Sequence, residues 1–230
     1  MSNSLSEPLR RDLNIYFVLD TSGSMEGSKI SALNDVLKET ITALNKLAKT
    51  NDTVVFKVAI LEFNSDCRWI TSNGPLCLDG SPINSLKRLN AYGMTNIGSA
   101  LKELNATLDE AYTLNSLNGA FVPVIIFMTD GHPTDDYKNP LKEIQEKRVF
   151  EKATKIGFAI GDDADMTMIA DVVGNTEAVL KTTDLELFKR VFQFATVTSS
   201  MVNSDPLYQG YSASGEDVIK RAKRQFQSDE

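Results

Sequence analysis

Asp20-Thr21-Ser22-Gly23-Ser24 places a carboxylate and two hydroxyls at alternate positions, directly after the apolar run Ile15-Tyr16-Phe17-Val18-Leu19. Oxygen donors of this kind suit a hard divalent cation, and Gly23 lets the backbone turn sharply enough for alternate side chains to converge. Two further segments carry matching chemistry. Gly93-Met94-Thr95-Asn96 precedes a helical pattern, and Val124-Ile125-Ile126-Phe127-Met128-Thr129-Asp130-Gly131 repeats the apolar strand ending in aspartate. The competing reading of the first segment is an ordinary strand-to-helix turn, in which Ser and Asp cap backbone groups. The matching contexts of the Thr95 and Asp130 segments favour a metal site built from three loops at one sheet edge.

The elements that must position these residues alternate between strand and helix. Ile30, Leu33, Leu37, Ile41, Leu44 and Leu47 recur at helical spacing, with Ser28 as N-cap. Val54 to Phe63 reads as the next strand, Cys67 to Thr71 as a short antiparallel edge beside it, and Ser72 to Pro82 as surface loop. Ile97, Leu101, Leu104 and Leu108 mark a second helix, and Val124 to Met128 a central strand. Asn139 and Pro140 read as the start of a helix running to about Lys152; strand, helix and strand follow at 155–160, 165–173 and 178–181, and Leu185, Phe188, Phe192 and Ala195 close the pattern. Repeated strand–helix–strand units predict a three-layer, doubly wound α/β fold. Its sheet is mostly parallel, with one short antiparallel edge strand. Ligands of such sheets bind beyond the strand C-termini where the strand order reverses. The predicted organisation is an N-terminal extension over 1–12, one domain over 13–202, and a polar tail over 203–230. In that tail Ser214-Gly215-Glu216-Asp217 caps a short helix, read as a frayed end or as a partner-docking segment.

The 230 residues suffice for one domain, and 42% hydrophobic with 24% charged residues is ordinary for a globular chain. A net charge of −7 argues against a generic nucleic-acid or anionic-membrane surface. No stretch approaches the ~18 consecutive apolar residues of a membrane helix. The N-terminus lacks the layout of a secretory signal, so the expected location is cytoplasmic, with Cys67 and Cys77 as free thiols. His132 and those two cysteines are too few for a conventional zinc site. His132, Asp135 and Asp136 follow the Asp130 segment and are candidates for a partner-binding rim. The plainer readings are a solvated loop histidine and turn or helix-entry aspartates. Asp162, Asp163 and Asp165 read as loop and N-cap residues, and Trp69 as cover for the core.

These segments resemble the von Willebrand factor type A (VWA) domains, whose metal-ion-dependent adhesion site (MIDAS) uses D-x-S-x-S, a distant Thr and a distant Asp; the resemblance implies Asp20, Ser22, Ser24, Thr95 and Asp130 as the metal site. The resemblance covers Leu13 to Met201. Within that family the phrases Leu19-Asp20-Thr21-Ser22-Gly23-Ser24-Met25 and Met128-Thr129-Asp130-Gly131-His132-Pro133-Thr134-Asp135-Asp136 look like the bacterial tellurium-resistance (TerY-like) proteins. The resemblance implies that Ser22 and Ser24 ligate Mg2+ directly, with Mn2+ or Ca2+ as alternatives. It implies that Asp20 and Asp130 act through water, and that Thr95 alternates between direct and water-mediated contact. Helix N-termini after Ser24 and after Thr95 are expected to add positive potential. An exchangeable position then accepts a Glu or Asp carboxylate from a protein partner, for which the resemblance suggests a kinase or phosphatase of a bacterial stress system.

The expected function is therefore a non-catalytic, metal-dependent protein-binding module. One alternative is a VWA subunit partnering an AAA+ ATPase. Another is a magnesium-dependent phosphohydrolase, but that chemistry needs an acid/base carboxylate two residues after the nucleophilic aspartate, and Ser22 stands there.

Overall fold

The computed structural model describes residues 10–71, 76–79, 86–115, 120–204 and 214–226. In chain order the elements are β1 (Arg11–Asp20), α1 (Ser28–Lys49), β2 (Val54–Phe63), β3 (Cys67–Trp69), β4 (Leu76–Leu78) and α2 (Ile97–Asn115). There follow β5 (Val124–Thr129), α3 (Lys138–Gln145), α4 (Arg148–Lys152), β6 (Thr154–Ile160), α5 (Met166–Val173), β7 (Val179–Thr182), α6 (Leu185–Ser204) and α7 (Gly215–Phe226).

β1 is the strand about which the sheet reverses. Its residues are apolar on both faces, so it can pair on both edges and be covered on both sides. β2 lies parallel on one edge and β5 parallel on the other, giving the order β3-β2-β1-β5-β6-β7. Side chains alternate across it: Leu13, Ile15, Phe17 and Leu19 pack with α1, α6 and α7, whereas Tyr16 and Val18 pack with α2, α3 and α5. Phe17 stacks on Phe192 at 5.7 Å, and Phe158 and Phe188 complete that cluster. Each such fully buried side chain contributes roughly 1.5–3 kcal/mol. The doubly wound fold is thus as expected from the sequence.

Several local expectations require correction. The antiparallel edge of β2 carries two short strands: β3 pairs with Leu61–Phe63 and β4 with Phe56–Val58. The stretch read as surface loop therefore contains a strand, with 72–75 and 80–85 outside the described residues. The N-cap of α1 is Gly27, whose φ of 85° suits only glycine, and Ser28 is the first helical residue. α3 begins at Lys138, because the Asp136 carboxylate accepts from the Lys138 and Asn139 amides at 3.0 and 3.4 Å; Pro140 is tolerated inside that first turn. That helix ends at Gln145, and the extended Lys147 separates it from α4.

The division at 202/203 falls inside α6, where Asn203 donates to the Val122 carbonyl and to Thr154 Oγ1 at 3.1 and 3.0 Å. α7 is capped by Ser214 as its sequence suggests, but its apolar side is spent within the domain. Val218, Ile219 and Ala222 are buried in the core, and a Cβ on Gly215 would stand 2.0 Å from the Lys155 carbonyl oxygen. Among the described residues no helix is long and apolar enough to cross a membrane.

Candidate metal centre

β1 and β5 end side by side, so Asp20 and Asp130 leave the sheet at the same edge, at the point where strand order reverses. The third segment is brought in by backbone pairing. Tyr92 N donates to Thr21 O at 2.9 Å and Gly23 N to Gly93 O at 3.0 Å, clamping the loop before α2 onto the turn after β1. A second clamp runs through the turn after β2: Met94 N donates to Ser65 Oγ at 2.9 Å and Asn96 N to Asn64 O at 3.0 Å. Gly93 must be glycine here, since its φ is 76° and a Cβ would lie 2.5 Å from Ser65 Oγ.

All five predicted donors are brought to this edge. Ser22 Oγ lies 3.0 Å from Ser24 Oγ, and Ser24 Oγ donates to Asp130 Oδ1 at 2.6 Å. Gly131 places Thr95 in the same group, because a Cβ at Gly131 would sit 3.7 Å from Ser24 Oγ and 3.8 Å from Thr95 Oγ1. Asp20 is fully buried behind these oxygens. Its Oδ1 accepts from Ser22 N at 2.7 Å and its Oδ2 from Thr129 Oγ1. Burial pushes the Asp20 carboxyl above its ordinary range; hydrogen bonds from Ser22 and Thr129 oppose this, and the Asp130 charge adds to the rise.

The residues present fit a hard divalent ion. Octahedral Mg2+ with bonds of 2.0–2.1 Å has neighbouring ligand oxygens about 2.9 Å apart. The Ser22–Ser24 and Ser24–Asp130 oxygen pairs, at 3.0 and 2.6 Å, bracket that edge length. The missing side chain of Gly131 leaves a cradle beside two hydroxyls. Among the described residues no group of three or more His, Cys, Asp or Glu side chains is placed to hold a metal. An ion at this edge would therefore be held largely by neutral hydroxyls, which leave much of its charge unquenched.

The helix termini differ from expectation. Ser22 is the N-cap of a 3-10 turn, Gly23–Met25, that contains Ser24 and precedes α1. α2 does start beside Thr95, but its first amides are engaged: Gly98 N and Ser99 N donate to the Asp135 carboxylate at 2.8 and 2.9 Å. Asp135 thus points inward as a helix cap, Asp136 caps α3, and His132 is exposed with Nδ1 3.2 Å from Asp165 Oδ2. Asp165 also caps α5 through Met168 N at 3.0 Å.

Sequence reasoning missed Thr129, Thr134 and Lys29. Thr129 reads as the last strand residue, yet its hydroxyl orients Asp20 and accepts Gly131 N at 3.2 Å. Thr134 Oγ1 accepts Thr95 N at 3.0 Å and donates to Asn96 Oδ1 at 2.9 Å, fixing the Thr95 loop. Lys29 pairs with Asp130 at 2.5 Å. A hydroxyl directly before the strand-ending aspartate was the available signal for the first; the other two depend on chain crossings that spacing does not encode.

The sequence profile of the von Willebrand factor type A domain matches residues 14–193. Inter-alpha-trypsin inhibitor heavy chain H2 of Mesocricetus auratus is 31% identical over 160 residues, covering 66% of this chain and 16% of that protein. The chain therefore spans only a small part of such relatives. A von Willebrand factor type A structure from Catenulispora acidiphila superposes with a TM-score of 0.63 at 19% identity, over 84% of this chain and 43% of that one. Proximal thread matrix protein 1 from the mussel byssus, with a zinc-occupied MIDAS motif, gives a TM-score of 0.52 at 16% identity, over 87% and 49%. At these identities the two structures speak to the fold alone.

Proposed function

The chain belongs to the von Willebrand factor type A family, and from that premise we propose that its sheet-edge oxygen cluster is a complete MIDAS serving metal-dependent protein recognition. The observation that carries this reading is the convergence of Ser22, Ser24, Thr95 and Asp130 from separate loops, with Asp20 buried behind them. Mg2+ is the proposed ion, with Mn2+ or Ca2+ as alternatives, and the zinc-occupied MIDAS of the mussel protein supports a divalent ion at this position of the fold. Such an ion supplies an incompletely neutralised charge with a solvent-facing position for a Glu or Asp carboxylate. The chain's own residues hold the hydroxyls at ligand spacing and keep Asp20 from solvent.

The surface beside the cluster supports a protein ligand. Tyr92 and Met94 are 46% and 55% exposed, and both sit on the loop clamped to Thr21, Gly23 and Ser65. Large apolar side chains held outward on a fixed backbone suit contact with a partner. Asp20 has both oxygens occupied and no exposure, which favours a non-catalytic role over phosphohydrolysis.

Within the family, the TerY-like phrases around Asp20 and Asp130 support a role in bacterial stress response, with an associated kinase or phosphatase as partner. A cytoplasmic location accords with two free thiols. Cys67 and Cys77 pair with β2 positions six residues apart, about 20 Å at ~3.3 Å per residue, too far for a disulfide. Calorimetric titration with Mn2+ tests the centre: wild type binds, and a folded Asp20→Ala variant does not. Partner capture that survives both chelation and Ser22→Ala/Ser24→Ala would refute metal-dependent recognition.

A further inference from the structure

Lys29 is the second residue of α1, and no acidic side chain lies in that helix's first turn. A cation there faces the positive end of the helix dipole, an unfavourable position unless something else holds it. The side chain folds back to the oxygen cluster, with Nζ 2.5 Å from Asp130 Oδ2 and 3.4 Å from the Ser24 carbonyl oxygen. Gly161, at the end of β6, leaves the route open: its φ is 93°, and a Cβ there would touch Lys29 Nζ and Cε at 3.5 and 3.7 Å. The Asp130 side chain is 0% exposed and that of Lys29 30%. Asp130 therefore divides its oxygens, Oδ1 to the Ser24 hydroxyl and Oδ2 to Lys29.

We propose that Lys29 is the built-in counter-ion of the centre, holding Asp130 and Ser24 in place without metal and setting both the affinity for the ion and the charge left for a ligand. This inference rests on the metal-centre reading above. With both aspartates ionised, two carboxylates against one ammonium give the cluster a single negative charge before loading. A divalent ion turns that into a single positive charge, which one incoming carboxylate neutralises. Without the ammonium, the two aspartates would cancel the ion and leave little attraction for an acidic ligand. The same ammonium repels the ion at short range, so the metal alone binds weakly and an acidic partner tightens it.

The test compares Lys29→Met, similar in length but uncharged, with Lys29→Arg, which keeps the charge. Mg2+ and Mn2+ are titrated by calorimetry, and melting is followed in chelator. Lys29→Met should bind either ion about tenfold tighter and melt lower in chelator, since Asp130 loses its cation; Lys29→Arg should behave as wild type. A folded Lys29→Met protein that binds the ions with wild-type or weaker affinity overturns the counter-ion role alone. Tighter binding by Lys29→Met than by wild type, with Lys29→Arg unchanged, upholds it. Absence of binding in every variant overturns the metal centre itself and the inference with it.

Discussion

Thr129→Val isolates the support of Asp20 from the metal donors themselves. The substitution keeps the shape of a fully buried side chain but removes a hydroxyl that donates to Asp20 Oδ2 and accepts Gly131 N. A buried hydrogen bond to a charged group contributes about 1.5–3 kcal/mol, and an amide bond to a hydroxyl about 0.5–1.5 kcal/mol. Their loss predicts a destabilisation of about 2–4.5 kcal/mol, or roughly 4–18 °C in Tm for a domain of this size. The penalty falls on ionised Asp20, so it narrows as pH falls toward the raised pKa at which that carboxyl takes up a proton. Metal affinity should also drop, by about 10–100-fold, as for other groups that orient a metal's surroundings. Thermal melts in chelator at several pH values, with Mn2+ calorimetry at neutral pH, measure both effects. A Tm within about 1 °C of wild type together with unchanged Mn2+ affinity would refute the claim that Thr129 holds Asp20.

Three further outcomes are expected. Asp135→Ala removes the acceptor for Gly98 N and Ser99 N, and should cost about 0.5–2 kcal/mol of stability in denaturant melts; an unchanged midpoint with weakened partner binding would instead make Asp135 a rim residue. Gly215→Ala brings a Cβ against the Lys155 carbonyl and should speed hydrogen exchange across 215–226, while Mn2+ affinity at the opposite end of the sheet stays constant. Exposed Cys77 should label first with a thiol reagent, read by peptide mass spectrometry. Burial, with Glu103, Asp135 and Glu62 nearby, pushes the Cys67 thiol up to about 12, so it should react on the order of a hundredfold more slowly.

The legible parts of this chain are those in which one segment carries its own signal. β1 and β5 announce themselves as apolar runs, and Asp20 and Asp130 directly follow those runs. Ser22 and Ser24 come with the same turn. β4 was illegible because Leu76–Leu78 sits among glycine, proline and serine, and becomes a strand only through the free edge of β2. The break between α3 and α4 was hidden by a continuous helical composition. Asp135 carried two readings, partner rim and helix-entry residue, and the fold sets it against the first turn of α2 as a cap. The docking of α7 depended on Gly215 approaching Lys155, a contact between segments far apart in the chain.

The two carboxylates at the sheet edge live in opposite environments, and that difference ties folding to metal. Asp130 has an ammonium beside it, whereas the partners of Asp20 are all neutral: the Ser22 amide and the hydroxyls of Ser22 and Thr129. Burial raises the folded-state pKa of Asp20 above its ordinary 3.8. The folded state therefore holds this proton more tightly than the unfolded chain does. Its contribution to stability is fullest below about 3.8 and declines as pH rises through the folded value. Wherever the pH ionises Asp20, the metal-free domain carries the cost of a buried, incompletely compensated anion. A divalent ion that binds only the folded chain offsets that cost by mass action. Its stabilising effect must then grow with pH over the range in which Asp20 ionises, so the residue that weakens the empty fold is the one that makes it respond to metal.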